Sequence, residues 1–165
     1  MLNLVKSLTV LMSLLAAGHA MAQSQIAFGG LKHDSSLPIE VSADQLEVNQ
    51  ADGTAIFKGN VKVGQGDMRL SASQVRVEYA TGANSTGEIS RLFASGNVIL
   101  VNGAEAAEAN QATYTIDSGR VVMTGNVLLT QGNNALSSDT LTVDLNTGTG
   151  IMDGNVKSII QTGGN

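Results

Sequence analysis

The chain has no cysteine, no tryptophan, a single proline (Pro38) and only 3% aromatic residues among its 165. Without cysteine there are no disulfide staples, so stability must come from hydrogen-bonded strands and a long core. Histidine is nearly as scarce, with only His19 and His33. No histidine or cysteine cluster can hold zinc, and no Ser-His-Asp set is recognisable. Fourteen Asp and Glu face nine Lys and Arg, a net charge of −5. A nucleic-acid partner is not expected, because phosphate binding needs clustered basic side chains and base stacking needs aromatic platforms. The acidic residues are scattered. Asp52-Gly53 and Asp153-Gly154 lack the alternating oxygen ligands of a calcium loop and read as turns. Neither an enzyme nor a metal or cofactor site is expected.

The first 22 residues read as an address. Lys6 gives a weak positive start, residues 8–17 form an apolar run, and Ala20-Met21-Ala22 offers small residues for signal peptidase. The run is shorter than the ~20 residues of a membrane span. Cleavage between Ala22 and Gln23 is expected, and with no cysteine near the cut the site is not of the lipoprotein type. The periplasm is the expected destination. About 143 residues then remain, enough for one domain. Losing Lys6 leaves eight basic residues against fourteen acidic ones, a net charge of −6. His33, the one histidine left, sits beside Asp34 in a polar stretch that reads as a solvated tail.

Glycine is abundant, with 19 copies, and it marks a repeat. Gly-Asn-Val occurs at 59–61, 96–98, 125–127 and 154–156. A related phrase precedes each triplet: Ala43-Asp44-Gln45-Leu46, Ala72-Ser73-Gln74-Val75, Ala109-Asn110-Gln111-Ala112 and Ser138-Asp139-Thr140-Leu141. The phrase begins 16 residues before the glycine in three copies and 24 in the second, and the gap from glycine to the next phrase is always 13. The period is therefore 29 residues, with an eight-residue insertion in the second unit, within 80–88. A repeat of this length predicts stacked supersecondary units.

Around the repeat the pattern is that of strands. Leu46-Glu47-Val48, Val75-Arg76-Val77 and Leu141-Thr142-Val143 alternate with period 2. Turn chemistry follows at 49–53, 117–119 and 146–148. Phe57, Val61 and Val63 keep one face across the first triplet, as Leu92, Val98 and Leu100 do across the second. The residue three before each glycine is also apolar (Ile56, Phe93, Val122, Ile151), so either a bulge shifts register there or both faces are partly covered. Tight turns predict antiparallel pairing, in roughly a dozen or more strands of ~5–6 residues. The repeated glycine reads as a bulge or close backbone approach, and the asparagine as a solvent-facing ladder, rather than as a polar binding row.

Pro38-Ile39-Glu40-Val41-Ser42-Ala43-Asp44, followed by Ala55-Ile56-Phe57-Lys58-Gly59-Asn60-Val61-Lys62-Val63, resembles the opening of the organic-solvent-tolerance-like (OstA-like) family, at its periplasmic lipopolysaccharide-transport A component. The match covers 36–77 closely, and the later triplets extend it over nearly all the mature chain. The resemblance implies an all-β open antiparallel jellyroll, taco-like, here built from about four 29-residue repeats. Its apolar interior would receive the lipid A acyl chains of lipopolysaccharide. Copies would join edge to edge, bridging an inner-membrane C component and an outer-membrane D component. The expected organisation is a signal peptide at 1–22, a flexible segment at 23–36, the OstA-like domain at 37–162 and a short tail at 163–165. Two departures bear on this expectation: the chain ends soon after the fourth unit without a long polar tail, and related domains occur in both partners. The lack of a retained membrane anchor or barrel domain favours the soluble bridge.

Ile39 and Val41 match the family's lipid-facing opening strand. Alternation adds Leu46, Val48, Phe57, Val61, Val63, Leu70, Val75, Val77, Leu92, Val98, Leu100, Tyr114, Val127, Leu129, Leu141 and Val143, each of which alternation alone reads equally well as core. These are modest side chains that leave room for a guest. With so few basic residues, charge is not expected to dominate binding, and the lipid phosphates would face the opening. Two other classes compete with this reading. A secreted structural or adhesive β-solenoid would also repeat, but it needs parallel coils. A carbohydrate-active enzyme lacks both the aromatic platform and a convincing carboxylate pair.

Overall fold

A computed structural model of the chain describes residues 25–27, 32–81 and 87–159. The export signal, its cleavage site at Ala22 and Gln23, and the tail at 163–165 lie outside the described residues. So do residues 82–86, within the expected insertion.

Among the described residues eleven strands form one antiparallel sheet: β1 (Gln25–Ala27), β2 (Glu40–Ser42), β3 (Gln45–Asn49), β4 (Thr54–Gln65), β5 (Met68–Tyr79), β6 (Ile89–Asn102), β7 (Glu105–Thr115), β8 (Arg120–Gln131), β9 (Asn134–Asp144), β10 (Thr149–Asp153) and β11 (Lys157–Ile159). The order is β1-β10-β9-β8-β7-β6-β5-β4-β2, with β3 also on β4 and β11 also on β9. Among the described residues no pairing is parallel, which removes the stacked-coil alternative. No helix occurs among the described residues.

The central strands, 11 to 14 residues long, are twice the expected length. They are not the dozen or more short pieces expected: Leu70 and Val75, for example, lie on one strand, β5, bent in the middle. The bend lies at the Gly-Asn pairs. Between Lys58 and Val61, Ser95 and Val98, and Thr124 and Val127 the register slips by one residue against the neighbouring strand. The Gly-Asn pair is thus a bulge, but it does not turn the residue three before each glycine inward. Ile56, Phe93, Val122 and Ile151 stay on the outer face and are half-buried, so both faces are partly covered there.

The bulge has a specific backbone. Gly59, Gly96, Gly125 and Gly154 have φ of +76 to +81°, and the asparagines after them +45 to +50°. Those asparagines are the only non-glycine residues with positive φ among the described residues. Two left-handed residues in succession select the types that tolerate this, glycine first and asparagine second. The second residue of the preceding phrase packs over each glycine. A Cβ on Gly59 would lie 2.5 Å from Asp44 Oδ2, and one on Gly125 2.7 Å from Asn110 Nδ2. Asp44 and Asp139 also donate their backbone N–H to Gly59 O and Gly154 O (3.0 and 2.8 Å). In return their carboxylates accept from Asn60 and Asn155 Nδ2, each at 2.8 Å. Asp153-Gly154, expected as a turn, is the last of these bends, with β10 and β11 on either side of it.

The bends align across the sheet and crease it into two leaves. The first leaf ends at the turns near 50–53, 116–119 and 145–148, and at Tyr79 and Ile89, where β5 ends and β6 begins. The second ends at the two-residue turns 66–67, 103–104 and 132–133, each opened by a positive-φ glycine. On the strands facing each bulge, inward residues skip from Ala72 to Val75, from Ala109 to Ala112 and from Ser138 to Leu141. The inward faces of both leaves merge into one hydrophobic cluster. The leaves face one another: Tyr114, on the first, donates its hydroxyl to Gln65 Oε1 on the second at 3.0 Å.

Gly125→Ala should destabilise the fold by about 1–3 kcal/mol, because it forces a side chain at positive φ against Asn110. Asn126→Gly should cost less than about 1 kcal/mol. Equal losses for the two in denaturant unfolding would contradict a backbone-defined crease.

Candidate functional site

The interior between the leaves is the only face on which the expected lipid-contacting residues converge. Val61, Val63, Leu70, Val75, Val77, Leu92, Val98, Leu100, Tyr114, Val127, Leu129, Leu141 and Val143 all point inward and are buried, none more than 9% exposed. Ile39, Val41 and Phe57 are half-buried against them. Leu46 and Val48 differ. They pair with the inward Phe57 and Ala55, yet are 52% and 62% exposed, because β3 is an edge strand with nothing beyond it. At the opposite edge Val156 is 44% exposed, whereas its counterparts Val61, Val98 and Val127 are at most 1% exposed. The apolar interior thus surfaces at both ends of the sheet.

Alternation from the apolar residues missed part of this interior. Ala55, Met68, Ala94, Ala107, Val121, Met123, Leu145 and Met152 are buried in the same cluster. More consequential is a polar row at the rim of the second leaf. Gln65, Asn102 and Glu105 are buried, and Gln131 is half-buried beside them. Asn102 is the cross-strand partner of Glu105, and Glu105 of Gln131. Gln131 Nε2 donates to Glu105 Oε1 at 2.6 Å. The signal was present: Gln65, Asn102 and Gln131 each stand six residues after a triplet glycine, an inward position by parity.

Basic side chains keep to the outer surface, where Lys58 pairs with Glu47, and Arg76 pairs with Glu78 while stacking 4.3 Å from the Phe93 ring centroid. Among the described residues no cation is buried. Outside the β2 edge a groove of about 790 Å³ runs over the second leaf, with Lys62, Arg69, Ile99 and Val101 in its lining.

The mouth opposite the crease is crossed by residues 33–37. His33 donates its backbone N–H to Leu145 O on the first leaf at 2.9 Å. Gln65 Nε2, on the second, donates to Ser35 O and Leu37 O at 2.9 and 2.8 Å. Ser36 braces this crossing, with its N–H and hydroxyl both donating to Asp34 Oδ1. These bonds hold the Asp34 carboxyl below its usual pKa range. His33, expected in a solvated tail, is half-buried against Gly66.

The family model for LptA/(LptD N-terminal domain) LPS transport proteins matches residues 40–149. An uncharacterized protein of Rhizobium meliloti (strain 1021) is 37% identical over 98 residues, covering 56% of this chain and 53% of its own. The chain therefore spans about half the length of that curated relative. The crystal structure of LptH from Pseudomonas aeruginosa, described as the LptA homologous periplasmic component of the lipopolysaccharide transport device, matches with a TM-score of 0.68 at 19% identity. That match covers 78% of this chain and 98% of LptH. At this identity the likeness is one of fold.

Burial pushes the Tyr114 phenol from 10 up to about 12, so the fold favours its neutral form. That contribution is fully present below pH 10 and is lost as pH rises to about 12. Tyr114→Phe should remove this alkaline step and cost about 1–3 kcal/mol at neutral pH, since Gln65 Oε1 loses its buried donor. Denaturant unfolding of both proteins from pH 8 upward checks both outcomes.

Proposed function

Because the chain belongs to the LptA/(LptD N-terminal domain) family of LPS transport proteins, we propose that it carries lipopolysaccharide across the periplasm, shielding lipid A acyl chains between its two leaves. The observation that carries this reading is the interior that surfaces at both edges, through Leu46 and Val48 at one and Val156 at the other. Each buried CH₂ is worth ~0.8 kcal/mol, so a carrier of several acyl chains needs a continuous apolar path, and exposed inward residues at the joints supply one. Ile39, Val41, Leu46, Val48 and Phe57 are the first contacts, because they are reachable at the β2–β3 end. The buried residues Val61 through Val143 named above would touch the guest once the leaves part.

In this reading residues 1–22 direct export, and the folded unit of 37–162 is the working part. The free edges of β2–β3 and β11 accept strands of neighbouring molecules. Copies add head to tail, and the ends dock the inner-membrane C and outer-membrane D components. The groove beside β2, with Ile99 and Val101 in it, gives an added strand an apolar floor. The chain acts as a carrier and not as an enzyme.

Photo-crosslinking residues at Val41 and Leu46 should capture lipopolysaccharide in cells, and one at the outward Ile99 should not. Adducts at Ile99 alone, or none with the protein folded, would sink the proposal. Leu46→Lys places a charge on the inner face of an exposed edge. It should reduce self-association seen by light scattering while changing stability by less than about 1 kcal/mol.

A further inference from the structure

The polar row at the rim of the second leaf interrupts an interior that is apolar apart from Ser138 and the Tyr114 hydroxyl. Asn102 and Glu105 are 4% and 5% exposed, yet Asn102 Nδ2 and Glu105 Oε2 have no hydrogen-bond partner. Buried polar groups are normally paired, and each left unpaired costs free energy. The two atoms are complementary, since Nδ2 only donates and a carboxylate oxygen accepts. They belong to directly opposed residues, Asn102 on β6 and Glu105 on β7. One group that both accepts and donates satisfies both at once. A hydroxyl does so, and a secondary amide does so through its C=O and N–H.

Elsewhere the same row shows what it takes up. Gln65 Nε2 receives the two backbone carbonyls Ser35 O and Leu37 O, while its Oε1 takes the Tyr114 hydroxyl. The row thus already holds amide carbonyls and a hydroxyl, contributed by the chain itself where residues 33–37 cross the mouth. It contains three amides, one carboxyl and no cation, a set suited to neutral groups and opposed to phosphate.

We propose that this rim row, centred on Asn102 and Glu105, binds the uncharged hydroxyl and amide groups of the guest's sugar head. The acyl chains then lie deeper, towards the crease, and the anionic groups stay outside the lips. The inference rests on the carrier reading above and names the part of the head that the site recognises. Residues 33–37 hold the neighbouring Gln65 position, and the guest's own carbonyls replace theirs there.

The test uses the mature protein and three probes: lipid A, its dephosphorylated form, and a fluorescent fatty acid. Asn102→Leu combined with Glu105→Leu should weaken both lipid A forms by about tenfold or more, because a site built on hydrogen bonds discriminates through them. Fatty-acid binding should be unchanged, which also shows that the variant is folded. Glu105→Gln, of nearly the same shape, should weaken both lipid A forms equally and by a few-fold. Unchanged lipid A affinity in the double variant would mean that a trapped water fills the row, and it overturns the proposal while leaving the carrier reading intact. Tighter binding of the phosphorylated form to the Glu105→Gln variant would also overturn it, by placing the phosphates at the row. Failure of the unaltered protein to bind even the fatty acid would remove both readings.

Discussion

The structure depends on one backbone constraint, two successive left-handed residues placed midway along a strand. A 12-residue strand is about 40 Å long, and a flat sheet of such strands with one apolar face would leave that face in water. The Gly-Asn bulge removes the problem by folding every strand at the same height, so that the sheet becomes its own second layer. Glycine is required because Asp44, Ser73, Asn110 or Asp139 sits where its Cβ would be. Asparagine is suited because it tolerates the left-handed region and, in the outer two bends, hydrogen-bonds the same carboxylate. The polar residue and the Gly-Asn pair form one device, which explains why both recur together in the sequence.

The crease also separates chemical environments by depth. Nearest it lie small and branched apolar side chains such as Ala72, Val61, Val98 and Val127. Six residues after each triplet glycine the inward positions turn polar at Gln65, Asn102 and Gln131, next to the tight turns of one lip. On the other lip Tyr114 and Leu145 keep to hydrophobic or half-polar character, and the crossing at 33–37 ties the two lips through Gln65. In the proposed carrier role, a large amphipathic guest would exchange internal hydrogen bonds at the rim as well as displace apolar contacts below it.

Much of this was legible in the residues. Period-2 alternation and turn chemistry are local, and they gave antiparallel strands and the inward faces of Val75, Val77, Leu141 and Val143. The 29-residue period implied a device shared by every unit. What alternation could not yield was the role of the bend. On the triplet strand the parity of Phe57, Val61 and Val63 continues unbroken, and the slip appears only on the opposing strand, between Ala72 and Val75. A bulge is a relation between two strands, so neither one shows it alone. The rim row went unseen for a different reason: Gln65, Asn102 and Glu105 occupy inward positions by parity, but polarity argued for the outside. His33 was misjudged because its burial depends on Leu145 and Gly66, which are distant in sequence.

The aligned creases have a consequence for size. Each further pair of bent strands widens the sheet by two strand spacings, roughly 9–10 Å, without altering its cross-section. The space between the leaves is therefore extruded, with a fixed profile and a length set by counting strands. Lengthening such a sheet needs no redesign of its contact with a guest, and a joint between two molecules that kept the strand spacing and matched the crease height would be indistinguishable, to whatever slides along it, from the inside of one.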